Sequence, residues 1–302
     1  MGIFDFGERE NTEKIIRETW DDFRNTLARG ELSYDEIDRA KEQVFLHQLD
    51  DYFEQHDGKR YFTKELGQVV QSEFYLARGT VLKVDEAVNY DRFMPISQYI
   101  KDDNRFSPPG VEWLYLACGY TGSAEQRNRN AEQCTLFECK AKEGDRFGIC
   151  HFIINPACYN AKVVDLTIAS DLTFEAINDE LEQYGRRVQK KAAKVFRSIG
   201  LIPYTNKKAL EEVLTKWFAY TDAKLISEQL FLPVAEGEKK YMYAPFQCLA
   251  KYFESLGYVG IIFKSTVYPY AKNLVLFDKG IAAAVGDIKD FVVTDEEVQL
   301  ND

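Results

Sequence analysis

Near residue 73 the hydrophobic pattern of the chain changes period, and that switch limits the folds open to it. Before it, apolar residues recur at the spacing of one helix face. Ile15, Ile16, Trp20, Phe23 and Leu27 form a stripe over a helix from near Thr12 to Ala28, and Gly30 stops it. Ser33-Tyr34-Asp35-Glu36 reads as a capping box, in which the Ser33 hydroxyl satisfies an early backbone N–H and Glu36 reaches back. A second helix follows with Ile37, Val44, Phe45, Leu49 and Phe53 on or near one face, and Asp57-Gly58 ends it. Residues 1–72 are therefore expected to form an N-terminal helical hairpin. After the switch, short apolar runs separated by turns predict strands at 73–78, 112–117, 135–140, 147–154, 161–166, 258–264 and 273–278. Ser123 to about Gln133 predicts a short helix with Glu125 in its first turn. Longer helices are expected over 173–198, 207–219, 222–230 and 245–256, and the stretch from Asp278 reads as a mixed tail. The mixture is that of an α+β fold.

Charge narrows the partners. The formal net charge is -11, and binding to nucleic acid runs mainly on neutralising phosphates with Lys and Arg. An acidic chain without a long basic run argues against nucleic acid. Much of the excess is local: residues 1–72 hold 17 Asp and Glu against 10 Lys and Arg, a net of -7. The remainder is nearly balanced, so an anionic substrate can reach a local arginine pocket there. No apolar run approaches the roughly 18 residues of a membrane span. The start, Met1-Gly2-Ile3-Phe4-Asp5-Phe6, lacks a basic region followed by an apolar one, so no export signal is read. The six cysteines include no Cys-x-x-Cys pair, and the spacings of Cys134, Cys139, Cys150, His151 and Cys158 are irregular for a metal site. Reduced thiols in a cytoplasmic protein without a metal are the expectation.

Three fragments carry chemistry. Arg78 follows the strand-like Phe74-Tyr75-Leu76-Ala77. Asn104-Arg105-Phe106-Ser107-Pro108-Pro109-Gly110 leads to Trp113-Leu114-Tyr115-Leu116-Ala117 and then Ala124-Glu125. Tyr243-x-Pro245-x-Gln247 opens a helix, and Gly257-Tyr258-Val259-Gly260-Ile261-Ile262-Phe263-Lys264-Ser265 runs on to Asn273-Leu274-Val275-Leu276-Phe277. Taken singly, these residues have plain structural readings. Arg78 can be a strand-end charge, Tyr115 a core residue, Glu125 a first-turn acid favoured by the helix dipole, and Ser265 an ordinary strand-end polar.

Taken together, in this order and at the ends of apolar runs, they resemble the RES family, named for its Arg, Glu and Ser, over roughly residues 73–278. The resemblance implies an ADP-ribosyltransferase-like mixed β core with surrounding helices, and NAD as substrate. It places Arg78, Glu125 and Ser265 as the catalytic residues, with Arg105, Tyr115 and Asn273 binding substrate. The chemistry suits them. Nicotinamide leaves from NAD already cationic, so it needs no general acid, and the ribose becomes oxocarbenium-like. Arg78 and Arg105 offer planar forks to the pyrophosphate, Tyr115 a face for nicotinamide, and Glu125 a carboxylate for the developing positive charge.

The implied organisation is a helical extension over 1–72, a catalytic domain over 73–282 with a helical insertion at about 166–244, and a tail over 283–302. Helical extensions of RES domains can be of the HEPN type, but seven residues separate Arg39 from His47, against the four to six of an RNase motif, so the extension is read as noncatalytic. The implied activity is that of a toxin or defence effector that destroys NAD, with water or phosphate as acceptor. The alternatives are mono-ADP-ribosylation of a protein and a nonenzymatic NAD or ADP-ribose sensor. A cognate antitoxin and a homo-oligomer are the implied partners.

Overall fold

The computed structural model describes residues 6–71, 75–199 and 207–295. The chain forms two compact units, each built from segments distant in sequence: Met1–Phe62 with Leu166–Pro233, and Thr63–Asp165 with Val234–Asp302.

The first unit is helical. It contains α1 (Phe6–Ala28), α2 (Ile37–Ala40), α3 (Val44–Gln55) and α4 (Lys59–Phe62). The predicted stripe on α1 is buried at Ile16, Trp20, Phe23 and Leu27, while Ile15 is exposed. Trp20 meets Phe45 of α3 edge-on at 5.0 Å and Phe23 stacks on Phe45 at 5.8 Å. The expected second helix is broken into two, α2 and α3, and α4 follows beyond its predicted end. Only half of the capping box forms: Glu36 accepts from the Ser33 backbone N–H at 2.8 Å, but the Ser33 hydroxyl turns to Asp35. Past α3, Asp57 turns the chain with a φ of 52°, and Gly58 lies so close to Tyr52 that a Cβ there would sit 1.9 Å from the ring.

The second unit holds β1 (Thr63–Glu65), α5 (Leu66–Gln71), β2 (Tyr75–Leu82), β3 (Leu114–Gly119), α6 (Ala124–Glu138), β4 (Arg146–Ile154) and β5 (Lys162–Asp165). The chain then returns to the helical unit for α7 (Phe174–Ser198) and α8 (Lys207–Phe231). It completes the second unit with α9 (Lys239–Ser255), β6 (Gly260–Lys264), β7 (Ala271–Leu276) and β8 (Ala282–Val292). The fold is α+β, with one mixed eight-stranded sheet in the order β1-β5-β6-β7-β3-β2-β4-β8. Among the described strands only β5 and β6 run parallel.

Four expectations need correction. Residues 135–140 are not a strand: Ala131, Cys134 and Thr135 are buried at helical spacing and carry α6 on to Glu138, because a short apolar run reads alike in helix and strand. Residues 207–219 and 222–230 are one helix, since burial of Ala219, Thr221, Asp222 and Ala223 carries α8 through the junction. Residues 63–71 are not part of the helical extension, because β1 pairs with β5. The stretch read as a tail supplies β8, which pairs with β4 from Arg146↔Val292 to Ile154↔Ala282. The expected start of the 73–78 strand and the end of the 283–302 tail lie outside the described residues.

The sheet parts at its middle. β2 pairs with β3 only at Tyr75↔Gly119, Leu76↔Cys118 and Ala77↔Ala117. Beyond Ala77, β2 follows β4 to Leu82, while Leu114–Leu116 pair with β7 alone. α6 packs over β2 and β3. Gly119 makes this possible, because a Cβ there would lie 1.8 Å from the Arg127 carbonyl oxygen.

Candidate functional site

Arg78 is the first residue of β2 past its last pairing with β3. Its Nη1 is sealed from solvent and has no hydrogen-bond partner among the described residues. Burial pulls its pKa down. The groups acting on its charge are the Cys139 thiol, the Tyr115 hydroxyl and the like-charged Arg92, none of them a carboxylate. A guanidinium held this way suits an anion supplied from outside the chain.

Tyr115 stands on the facing strand. Its hydroxyl shares a 2.9 Å hydrogen bond with Ser107 Oγ. Burial pushes the phenol far above its ordinary pKa, and that bond together with the Arg78 charge pulls against the rise. Ala117 is opposite Asn273 on β7 and Tyr115 is two residues from Ala117, so Tyr115 and Asn273 project from one face of the sheet.

On that face the structure places Glu138, the last residue of α6. Its Oε1 accepts from Ser265 Oγ at 2.8 Å and from Asn273 Nδ2 at 2.6 Å. Ser265 is buried and its Oγ also accepts from the backbone N–H groups of Val267 and Tyr268, at 3.3 and 3.2 Å. Glu138 itself is exposed. The next residue, Cys139, donates its thiol to the Gly79 carbonyl at 3.3 Å, which ties the carboxylate to the strand carrying Arg78. Burial raises the Cys139 thiol to about 11, so it is neutral near pH 7.

Glu125, the carboxylate expected from sequence, is elsewhere. It sits exposed in the first turn of α6 and pairs with Arg129 at 3.3 Å. Thirteen helical residues at about 1.5 Å each put it roughly 20 Å along the axis from Glu138. Reading 135–140 as a strand hides Glu138. On a helix, Cys134 and Glu138 share a face at i, i+4.

Arg105 lies at the edge of the same group. Its Nη2 approaches Thr266 Oγ1 at 3.5 Å, and its Cζ is 5.4 Å from the Tyr243 ring centroid. The loop bearing it is anchored by α9, where the buried Gln247 donates from Nε2 to Asp103 Oδ1 at 2.9 Å and to the Asn104 carbonyl at 3.1 Å. Phe106 fills the core against Phe263 at 5.0 Å. The sequence marks the fragments holding Ser107, Tyr243 and Gln247, but nothing in it assigns those residues a role.

Among the described residues, no cluster of three or more His, Cys, Asp or Glu is placed to hold a metal, and no helix is long and apolar enough to cross a membrane. No family model, curated protein or solved structure matches the chain.

Proposed function

We propose that this chain is an NAD-consuming enzyme of ADP-ribosyltransferase-like fold, acting in the cytoplasm as a toxin or defence effector. The observation that carries the reading is the Glu138 carboxylate, gripped at one oxygen by Ser265 and Asn273 and linked through Cys139 to the strand bearing Arg78. The Arg, Glu, Ser order that resembles RES is kept, with Glu138 in place of Glu125. In this reading Arg78 and Arg105 hold the pyrophosphate and Tyr115 packs against nicotinamide. Glu138 faces the ribose, where its charge stabilises the oxocarbenium-like carbon. Water attacks that carbon, the C–N bond breaks, its electron pair returns to the nicotinamide ring, and one proton passes to solvent. Phosphate in place of water gives a sugar phosphate. The exposure of Glu138 favours one second reading, transfer of ADP-ribose to a protein.

The test is incubation with NAD labelled in its adenylate half, with and without phosphate, following nicotinamide release by chromatography. Wild type should release nicotinamide. Glu138→Ala should lose at least about 100-fold in rate, and Glu125→Ala should stay within about 2-fold. Equal release by wild type and Glu138→Ala would remove Glu138 from the chemistry. Label found in ADP-ribose, in a phosphate ester or on protein identifies the acceptor.

A further inference from the structure

α7 changes sign along its length. Its first half carries Glu175, Asp179, Glu180 and Glu182. From Arg186 to Arg197 it carries Arg186, Arg187, Lys190, Lys191, Lys194 and Arg197 and no acid. At about 100° per residue these six positions fall within an arc of about 140°, over a rise of about 17 Å. All six are exposed. Arg186 pairs with Glu182 at 2.5 Å, and the other five have no ion-pair partner among the described residues.

Such a strip works against the helix that bears it. Arg186 and Lys190, Arg187 and Lys191, and Lys190 and Lys194 are like charges at i, i+4, a repulsive spacing. The helix dipole favours cations in the last turn only, which covers Arg197 but not the five before it. The strip therefore calls for an external polyanion.

We propose that this face of α7 binds the phosphate backbone of double-stranded DNA without sequence preference. A helix with its side chains is about 10–12 Å wide and the B-DNA major groove is about 12 Å wide. An arc of about 140° offers cations to both groove walls. The deep, narrow major groove of A-form RNA does not admit it. A membrane surface fits less well, because α7 packs on α8, leaving, among the described residues, Val195 and Ile199 as the exposed large apolar residues beside the strip. The net charge of -11 opposes binding weakly, since charges are screened beyond about 8 Å at physiological salt. The proposal is independent of the NAD reading.

The experiment is fluorescence anisotropy of a labelled 20-base-pair DNA duplex of arbitrary sequence against the full chain, from 50 to 200 mM salt, with circular dichroism confirming that each variant folds. Wild type should bind with a log–log salt slope of about -5 for six phosphate contacts. K190E/K191E/K194E should lose more than 10-fold in affinity at 50 mM, and the neutral K190Q/K191Q/K194Q should bring the slope to about -2.5. Absence of binding at 50 mM, or variants with wild-type affinity and slope, would overturn the proposal. So would tighter binding to single-stranded RNA, phosphatidylserine vesicles or polyglutamate than to the duplex.

Discussion

Arg78 and Glu138 ask opposite things of their surroundings. The arginine has one nitrogen sealed away with no partner among the described residues, and the carboxylate is exposed but gripped by two donors at one oxygen. Arg78→Ala should weaken NAD binding by about 1.5–3 kcal/mol, the range for hydrogen bonds to charged groups, measured by titration calorimetry. Unchanged affinity would take Arg78 out of the pocket. Arg78, Ser265, Asn273 and Tyr115 were legible in the sequence because each ends or punctuates an apolar run. Glu138 was not, because its helical neighbours Thr135, Leu136 and Phe137 also make an acceptable strand. The carboxylate nearer the recognisable Leu-Tyr-Leu-Ala run therefore drew the assignment.

At the scale of elements, the divergence of β2 from β3 matters most. It opens the sheet beside Arg78 and leaves Leu114–Leu116 paired on one side only. α6 can reach across because residue 119 has no side chain. Gly119→Ala should force α6 off β3 and cost about 1–3 kcal/mol, as overpacking does. A thermal melt several degrees below wild type checks it, and an unchanged melt would show that α6 tolerates a shift. Strand β4 and helix α7 could be read nearly to their ends, because their apolar patterns are long and bounded by turns. The edge strand β8 could not: Asp287, Lys289 and Asp290 interrupt its pattern, as charges on an exposed edge do.

For the whole molecule, no composition signal announces that residues 1–62 join 166–233. In sequence they stand apart as an extension and an insertion, because such a union is made by packing between distant segments. That helical unit contains Asp222, a buried carboxyl whose burial raises its pKa to about 7. An unfolded Asp titrates near 4, so folding takes up a proton between these values. The stabilising contribution is full below the unfolded pKa and is lost as pH rises through about 7. Asp222→Asn should remove this dependence, worth up to about 4 kcal/mol. The wild-type melting temperature should fall from pH 5.5 to pH 8 relative to the variant, and parallel profiles would refute the assignment.

Glu138 closes α6 at the end where backbone carbonyls already gather negative charge. Selection for durability alone would put a lysine there. A mutational screen scored on heat resistance would thus enrich Glu138→Gln, which drops the charge and keeps an acceptor for Ser265 and Asn273, and a screen scored on NAD loss would discard the same clone. In the disagreement between the two lists, a working residue separates from a merely well-packed one.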